Sequence, residues 1–288
     1  MNKYFFLIIL SVIFNLAVSF DIKKEFNKSE NECLTHIKSF LDSNDYKSAI
    51  TYGEDIVKTK PYTEVELYLG KAYFLHKEYH AASKYFLDAA NKGQSFAMLT
   101  IANLYGSGVG VKKDITKAIY WYKKASDKGN TKAMNYLGQI YRDGIGVQQD
   151  TKLAKMYFEM ASIHSDPQAY CNLAYLYQYG VGVPIDDNKA FSYYQKAADL
   201  GDKFAMNNLG LFYSQGKGVP QDSLKSLEWY TKSATLNDSN AQINLGLVYL
   251  NGFGVEKDLT TAKKWFNIAK ANGNVLADNY INLIDKKQ

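Results

Sequence analysis

From Ala97 onward, apolar and polar positions along this chain recur at one fixed interval. An alanine returns at Ala97, Ala133, Ala169, Ala205, Ala241 and Ala277, each 36 residues after the last. Four residues on lies Ile101, Leu137, Leu173, Leu209 or Leu245. A small residue follows at Ala102, Gly138, Ala174, Gly210 and Gly246, then a tyrosine at Tyr105, Tyr141, Tyr177, Tyr213 and Tyr249. The alanine, the aliphatic residue and the residue before the tyrosine stand at i, i+4 and i+7, one face of a helix. A fixed period of this size predicts a repeat architecture in which each unit is one supersecondary element.

The second half of each unit is equally regular. A G-x-G-V turn occupies residues 108–111, 144–147, 180–183, 216–219 and 252–255. Glycine accepts positive φ without a steric cost, so it ends one helix and reverses the chain. An aspartate follows at Asp114, Asp150, Asp186, Asp222 and Asp258, and its short carboxylate predicts the N-cap of a second helix. That helix carries a small residue (Ala118, Ala154, Ala190, Ser226, Ala262), then an aromatic pair (Trp121-Tyr122, Tyr157-Phe158, Tyr193-Tyr194, Trp229-Tyr230, Trp265-Phe266), then a second small residue (Ala125, Ala161, Ala197, Ser233, Ala269). Large aromatics facing small residues across helices give the alternation that dense packing requires.

The combined pattern, A-x-x-x-L-G-x-x-Y-x-x-G-x-G-V-x-x-D-x-x-x-A-x-x-W-Y-x-x-A, resembles the SEL-one-like repeat (SLR) family, relatives of the tetratricopeptide repeat. Five full copies span residues 97–276. Residues 277–288 read as a first helix without its partner, a cap with a more polar outer face. The resemblance implies an all-α fold, a right-handed α-solenoid superhelix of helix-turn-helix repeats. Before Ala97 the period is shorter: Leu69 precedes Ile101 by 32 residues, so the long glycine turn is absent there. Residues 33–96 read as two degenerate tetratricopeptide-like repeats, with Leu69, Gly70, Tyr73, Ala82, Phe86 and Ala89 at that family's large and small positions. One continuous superhelix is expected.

Residues 20–32 are polar and read as a loose leader. Residues 1–19 have the form of a secretory signal: Lys3 at the start, an apolar core over residues 4–14, and Ala17 and Ser19 as small residues before a cleavage point after Ser19. The alternative is an uncleaved anchor, but a spanning helix needs about 20 mostly apolar residues and Asn15 interrupts this one. The expected product is an exported protein, periplasmic or secreted, without stable membrane insertion once the signal is removed.

Charge and composition narrow the function classes. The net charge is +5 and Arg142 is the sole arginine. Nucleic-acid binding calls for a basic stripe with arginines for phosphate and base contacts, so no nucleic-acid partner is expected. The two cysteines, Cys33 and Cys171, lie about four repeats apart, whereas each repeat touches only its neighbours, so no intramolecular disulfide is expected. His76 and His80 stand at i, i+4, the spacing of two metal ligands on one helix face, but Lys77 occupies the place where a zincin has its glutamate. The pair falls at a turn, and neither metal nor cofactor is expected. Ser214 and Lys217 match S-x-x-K, the nucleophile motif of penicillin-recognising enzymes. The cysteine-rich branch of the SLR family makes a β-lactam-hydrolysing or cell-wall-acting enzyme the alternative function. This chain departs from that branch: it has two cysteines in total, no K-T-G or S-D-N partner, and its S-x-x-K sits in a glycine turn.

The leading expectation is a non-catalytic scaffold that binds a protein or peptide. Positions two, six and nine residues after each alanine share one face of the first helix, away from the packed alanine–leucine face. They are Asn135, Gln139 and Arg142; Cys171, Tyr175 and Gln178, with Tyr179 beside them; Asn207, Leu211 and Ser214; and Ile243, Leu247 and Leu250. By resemblance to tetratricopeptide proteins these faces line a concave groove. Tyrosine and arginine are the residue types that most often dominate interfaces, and Ile243, Leu247 and Leu250 form a candidate apolar docking strip. The alternative for Leu247 and Leu250 is packing against the C-terminal cap helix.

Overall fold

A computed structural model describes residues 28–286 of the chain. The expected signal, residues 1–19, and the first part of the leader lie outside the described residues. Among the described residues there are fifteen α-helices and no strands. In chain order they are α1 Lys28–Asp42, α2 Tyr46–Thr59, α3 Thr63–Leu75, α4 Tyr79–Asn91, α5 Ser95–Ser107, α6 Ile115–Asp127, α7 Thr131–Asp143, α8 Thr151–Ser162, α9 Pro167–Tyr179, α10 Asp187–Asp199, α11 Lys203–Gln215, α12 Ser223–Thr235, α13 Ser239–Asn251, α14 Leu259–Ala271 and α15 Ala277–Asp285. The chain forms two compact units, Met1–Ala133 and Met134–Gln288, whose boundary falls within α7.

In the first unit α1 begins at Lys28, five residues ahead of Cys33, so the end of the expected leader is helical. Its first turn carries Glu30, and a carboxylate there is favourable beside the helix N-terminus. Leu34, Ile37, Leu41, Ala49, Val65 and Ala72 form one buried cluster across α1, α2 and α3. In this unit α1 packs on α2 and α3, and α3 packs on α4. Gly70 lies against Phe86, where an added Cβ would come within 3.0 Å of the ring.

The second unit repeats one packing scheme. The second member of each aromatic pair enters the space left by the small residue of the preceding first helix. A Cβ at Gly138, Gly210 or Gly246 would lie 2.3 Å from Phe158, 2.5 Å from Tyr230 or 2.5 Å from Phe266. In the intervening repeat Ala174 and Tyr194 share a buried cluster with Leu209 and Phe212. The first member of the pair stacks on the recurring tyrosine instead: Tyr141 on Tyr157 at 5.8 Å and Tyr177 on Tyr193 at 5.9 Å. The interior of each hairpin is thus aromatic against small, and Phe158 and Phe266 are fully buried.

Caps set the helix starts. Asp114, Asp150, Asp186, Asp222 and Asp258 each accept a backbone N–H two or three residues on, as the sequence predicts. The amide of Lys189 holds the Asp186 carboxyl below its ordinary value of 3.8, and the Thr261 hydroxyl does the same for Asp258. A second series of caps opens the first helices: Asn130, Asp166, Asp202 and Asp238 accept from Ala133, Ala169, Ala205 and Ala241. These positions also recur every 36 residues, so the period carries a signal for this series as well. Asp238 is buried, and burial pushes its carboxyl upward against the pull of the Ala241 amide.

The two glycines of each long turn do different work. The first, Gly108, Gly180, Gly216 and Gly252, is the left-handed C-cap of its helix. The second abuts the start of the second helix one repeat earlier. A Cβ at Gly110 would stand 2.1 Å from the Tyr79 carbonyl oxygen, and one at Gly218 would stand 2.4 Å from that of Asp187. Only hydrogen at Cα permits this approach of two backbones.

Candidate functional site

The first-helix positions singled out from the sequence separate into two classes. The position two residues after the alanine ties one repeat to the next. Asn135 is buried, donates to Asp166 at 3.0 Å and accepts from Asn172 at 3.2 Å. Asn207 accepts from Asn244 at 2.8 Å in the same manner. Cys171 donates its S–H toward Asp202 at 3.4 Å, and burial, then the Asp202 carboxylate, pushes the thiol upward. Asn135 is therefore not a surface residue, and its expected place in a binding row is corrected: its amide bonds Asp166, the N-cap of α9. Both cysteines are free thiols.

The C-terminal strip is likewise corrected. Ile243 and Leu250 are each 5% exposed and share a buried cluster with Phe266, Ala277 and Ile284, and half-buried Leu247 packs against that cluster. The last helix covers what would otherwise be an apolar face. The alternative stated for these leucines is the arrangement found, and they form the core of the end hairpin.

What remains exposed is a cluster on α7 and α9. Tyr175 is 40% and Tyr179 58% exposed, with ring centroids 4.7 Å apart. The Arg142 guanidinium lies over the Tyr175 ring at 5.1 Å. It is also held by two parallel bonds to Asp143, from Nε at 2.7 Å and from Nη2 at 2.9 Å. Those bonds raise the guanidinium's affinity for its proton. Arg142 is thereby a braced, charge-balanced platform behind the ring. Half-buried Gln178 receives the Tyr194 hydroxyl on its Oε1 at 2.7 Å, which leaves the donor capacity of its –NH2 unused by that bond. Burial pushes the Tyr194 phenol upward, so it stays a donor. Gln139 and Leu211 are half-buried on α7 and α11. The structure therefore brings together Arg142, Tyr175, Gln178 and Tyr179. It assigns Leu247 and Leu250 to packing, and Asn135 and Asn207 to the inter-repeat ties.

The motifs with potential chemistry are placed as follows. The Ser214 hydroxyl donates to the Leu211 carbonyl at 2.8 Å within its own helix, and Lys217 is exposed in the glycine turn. His76 is the C-cap of α3, with Nδ1 2.9 Å from Glu78, whereas His80 lies in α4 with Nδ1 donating to the Gly110 carbonyl at 3.2 Å. The two imidazoles stand on different helices, so the i, i+4 spacing does not place them on one face. Among the described residues no group of three or more His, Cys, Asp and Glu side chains is placed to hold a metal ion, and no helix is long and apolar enough to cross a membrane.

Paired helices of 12 or 13 residues, joined by a left-handed glycine turn and stacked on their neighbours, define an α-solenoid repeat protein. Five consecutive stretches, residues 95–130, 131–166, 167–202, 203–238 and 239–274, match the Sel1 repeat, more than half of the chain, and the chain belongs to that family. It is similar to a Sel1 repeat protein from Oxalobacter formigenes, 28% identical over 82% of this chain and 96% of that one, with a TM-score of 0.71. It is also similar to c5321, described as a protective antigen present in uropathogenic Escherichia coli strains and displaying an SLR fold. That match is 25% identical, covers 86% of this chain and 58% of the other, and has a TM-score of 0.70. An immunity protein from Pseudomonas aeruginosa shares the fold at 20% identity, covering 72% of this chain and 83% of its own, with a TM-score of 0.50. No curated protein matches the chain.

Proposed function

We propose that this chain is an exported adaptor that binds an extended segment of another protein on the α7/α9 face. The observation that carries the reading is the exposed Tyr175–Tyr179 pair, braced by Arg142. Two rigid aromatic rings offer contact area at low entropic cost, and the Gln178 amide offers a donor for a backbone carbonyl of the bound segment. Neither tyrosine is needed to fill the core, since Leu173, Ala174 and Leu176 already pack the other side of α9.

The test compares wild type with the double variant Tyr175→Ala/Tyr179→Ala, using a partner co-purified from the exported fraction of the native host. The variant is expected to lose at least about 2 kcal/mol of binding, roughly thirtyfold, with stability within about 1 kcal/mol of wild type. Full-strength binding by the variant would move the site to another surface.

Export rests on residues 1–19, and it accords with the description of the E. coli relative as a protective antigen. Mass spectrometry of protein from its native host is expected to find an N-terminus at Phe20. Intact Met1 on membrane-bound protein would overturn both cleavage and location.

A further inference from the structure

The long turn joining α5 to α6 differs from its four counterparts in charge. It carries Lys112 and Lys113 where the others carry Gln148-Gln149, Pro184-Ile185, Pro220-Gln221 and Glu256-Lys257. The turn therefore forms without a lysine pair, and two adjacent like charges have no role in its geometry. The contrast extends to side-chain bonding. Gln149 and Gln221 donate back to the carbonyls of Arg142 and Ser214, closing their own turns. Lys113 stands at the same position, and its stem covers Gly108, but its ammonium makes no such bond.

A cavity of about 630 Å³ lies against this turn, lined among others by His80, Tyr105, Lys112, Lys113, Asp114 and Lys117. Three lysines face one carboxylate. Lys117 is 3.9 Å from Asp114 and lies over the Tyr105 ring at 5.2 Å; Asp114 itself is committed to the cap of α6. Among the described residues, no carboxylate lies within ion-pair distance of Lys112 or Lys113 on the wall. His80 is held in place by its bond to the Gly110 carbonyl, which also accepts from Ser83 at 3.3 Å. Among the described residues, the backbone amides of residues 110–113 donate to no protein group. Free amides of successive turn residues are anion donors.

We propose that this cavity binds a small polyanion, a molecule bearing two or more phosphate or carboxylate groups, between the Lys112–Lys113 pair and the His80–Lys117 wall. The depression is open to solvent, and its lining lysines come from both the turn and α6. The site stands on the first unit and is independent of the α7/α9 face.

The experiment is isothermal titration calorimetry of the full chain with inorganic pyrophosphate, citrate and a poly-glutamate peptide as probes. It is run at about 10 mM salt, where the screening length is about 30 Å. Lys112→Gln/Lys113→Gln restores the residues used by the next repeat, so folding is retained. Saturable binding of pyrophosphate or citrate is expected, weakened about tenfold to thirtyfold in that variant and unchanged in Lys217→Gln, a lysine in another turn. Preference for pyrophosphate assigns phosphate groups, and preference for citrate assigns carboxylates. Three results would overturn the proposal: no saturable binding of either small anion, an equal loss in Lys217→Gln, or lysine-dependent binding of the peptide alone.

Discussion

Leu209→Ala is expected to lower folding stability by about 2–5 kcal/mol. The side chain is fully buried at the meeting of three helices, where Ala174 of α9, Ala190, Tyr194, Ala197 and Ala198 of α10, and Ala205 and Phe212 of α11 form one cluster. Its neighbours are mostly alanines or large rings already in contact, with Tyr194 and Phe212 5.6 Å apart in an edge arrangement. Alanines have no side chain to swing into a void, and the rings are held by one another. The cavity should therefore persist and add to the lost transfer free energy. Because the cluster spans a repeat junction, the change also weakens the coupling of neighbours on which a repeat stack depends. Equilibrium urea unfolding measures both effects: a lowered midpoint reports the lost stability, and a reduced slope reports lost cooperativity. A cost below about 1 kcal/mol would mean that the junction collapses around the void.

Gly218→Ala should cost about 3 kcal/mol or more, with two separable causes. The residue has φ of 64°, which disfavours any Cβ, and its Cβ would enter the backbone of Asp187 and Asn188 at 2.4 to 3.1 Å. Gly201 isolates the first cause. Its φ is 87°, yet an added Cβ meets nothing within 4 Å, and the equivalent positions hold Ser165 at φ 55° and Asn237 at φ 57°. Gly201→Ala is therefore expected to cost only about 1 kcal/mol. Thermal and urea unfolding of the two variants side by side gives the difference. Equal costs would show that the inter-repeat approach at Gly218 relaxes freely and that left-handed backbone alone selects glycine there.

The two glycines of one long turn, Gly216 and Gly218, differ in how far local sequence accounts for them. The G-x-G recurrence announced a helix end and a chain reversal, and the first glycine performs that task through its own φ. The need for the second glycine comes from a residue about thirty positions earlier, and no local pattern carries that contact.

The expected binding row divides the same way. Tyr175 and Tyr179 were legible because exposure of a large aromatic on the face opposite the Ala169–Leu173 stripe follows from helical geometry. The burial of Asn135 was not, because it depends on the Asp166 cap arriving from the next repeat at hydrogen-bond distance. Leu250 turned inward for a similar reason: α15 supplies Ala277 and Ile284 to the same cluster.

The sequence by itself determined the all-α repeat fold, the glycine turns, the aspartate caps of the second helices and the aromatic-against-small packing. These arise from residues a few positions apart, multiplied by a strict period. Only the tertiary structure decided which members of the first-helix row are buried, why the second turn glycine admits no side chain, and that Lys112 and Lys113 line one depression with His80 and Lys117. Each of those depends on the distance between atoms on neighbouring elements, which periodicity does not specify.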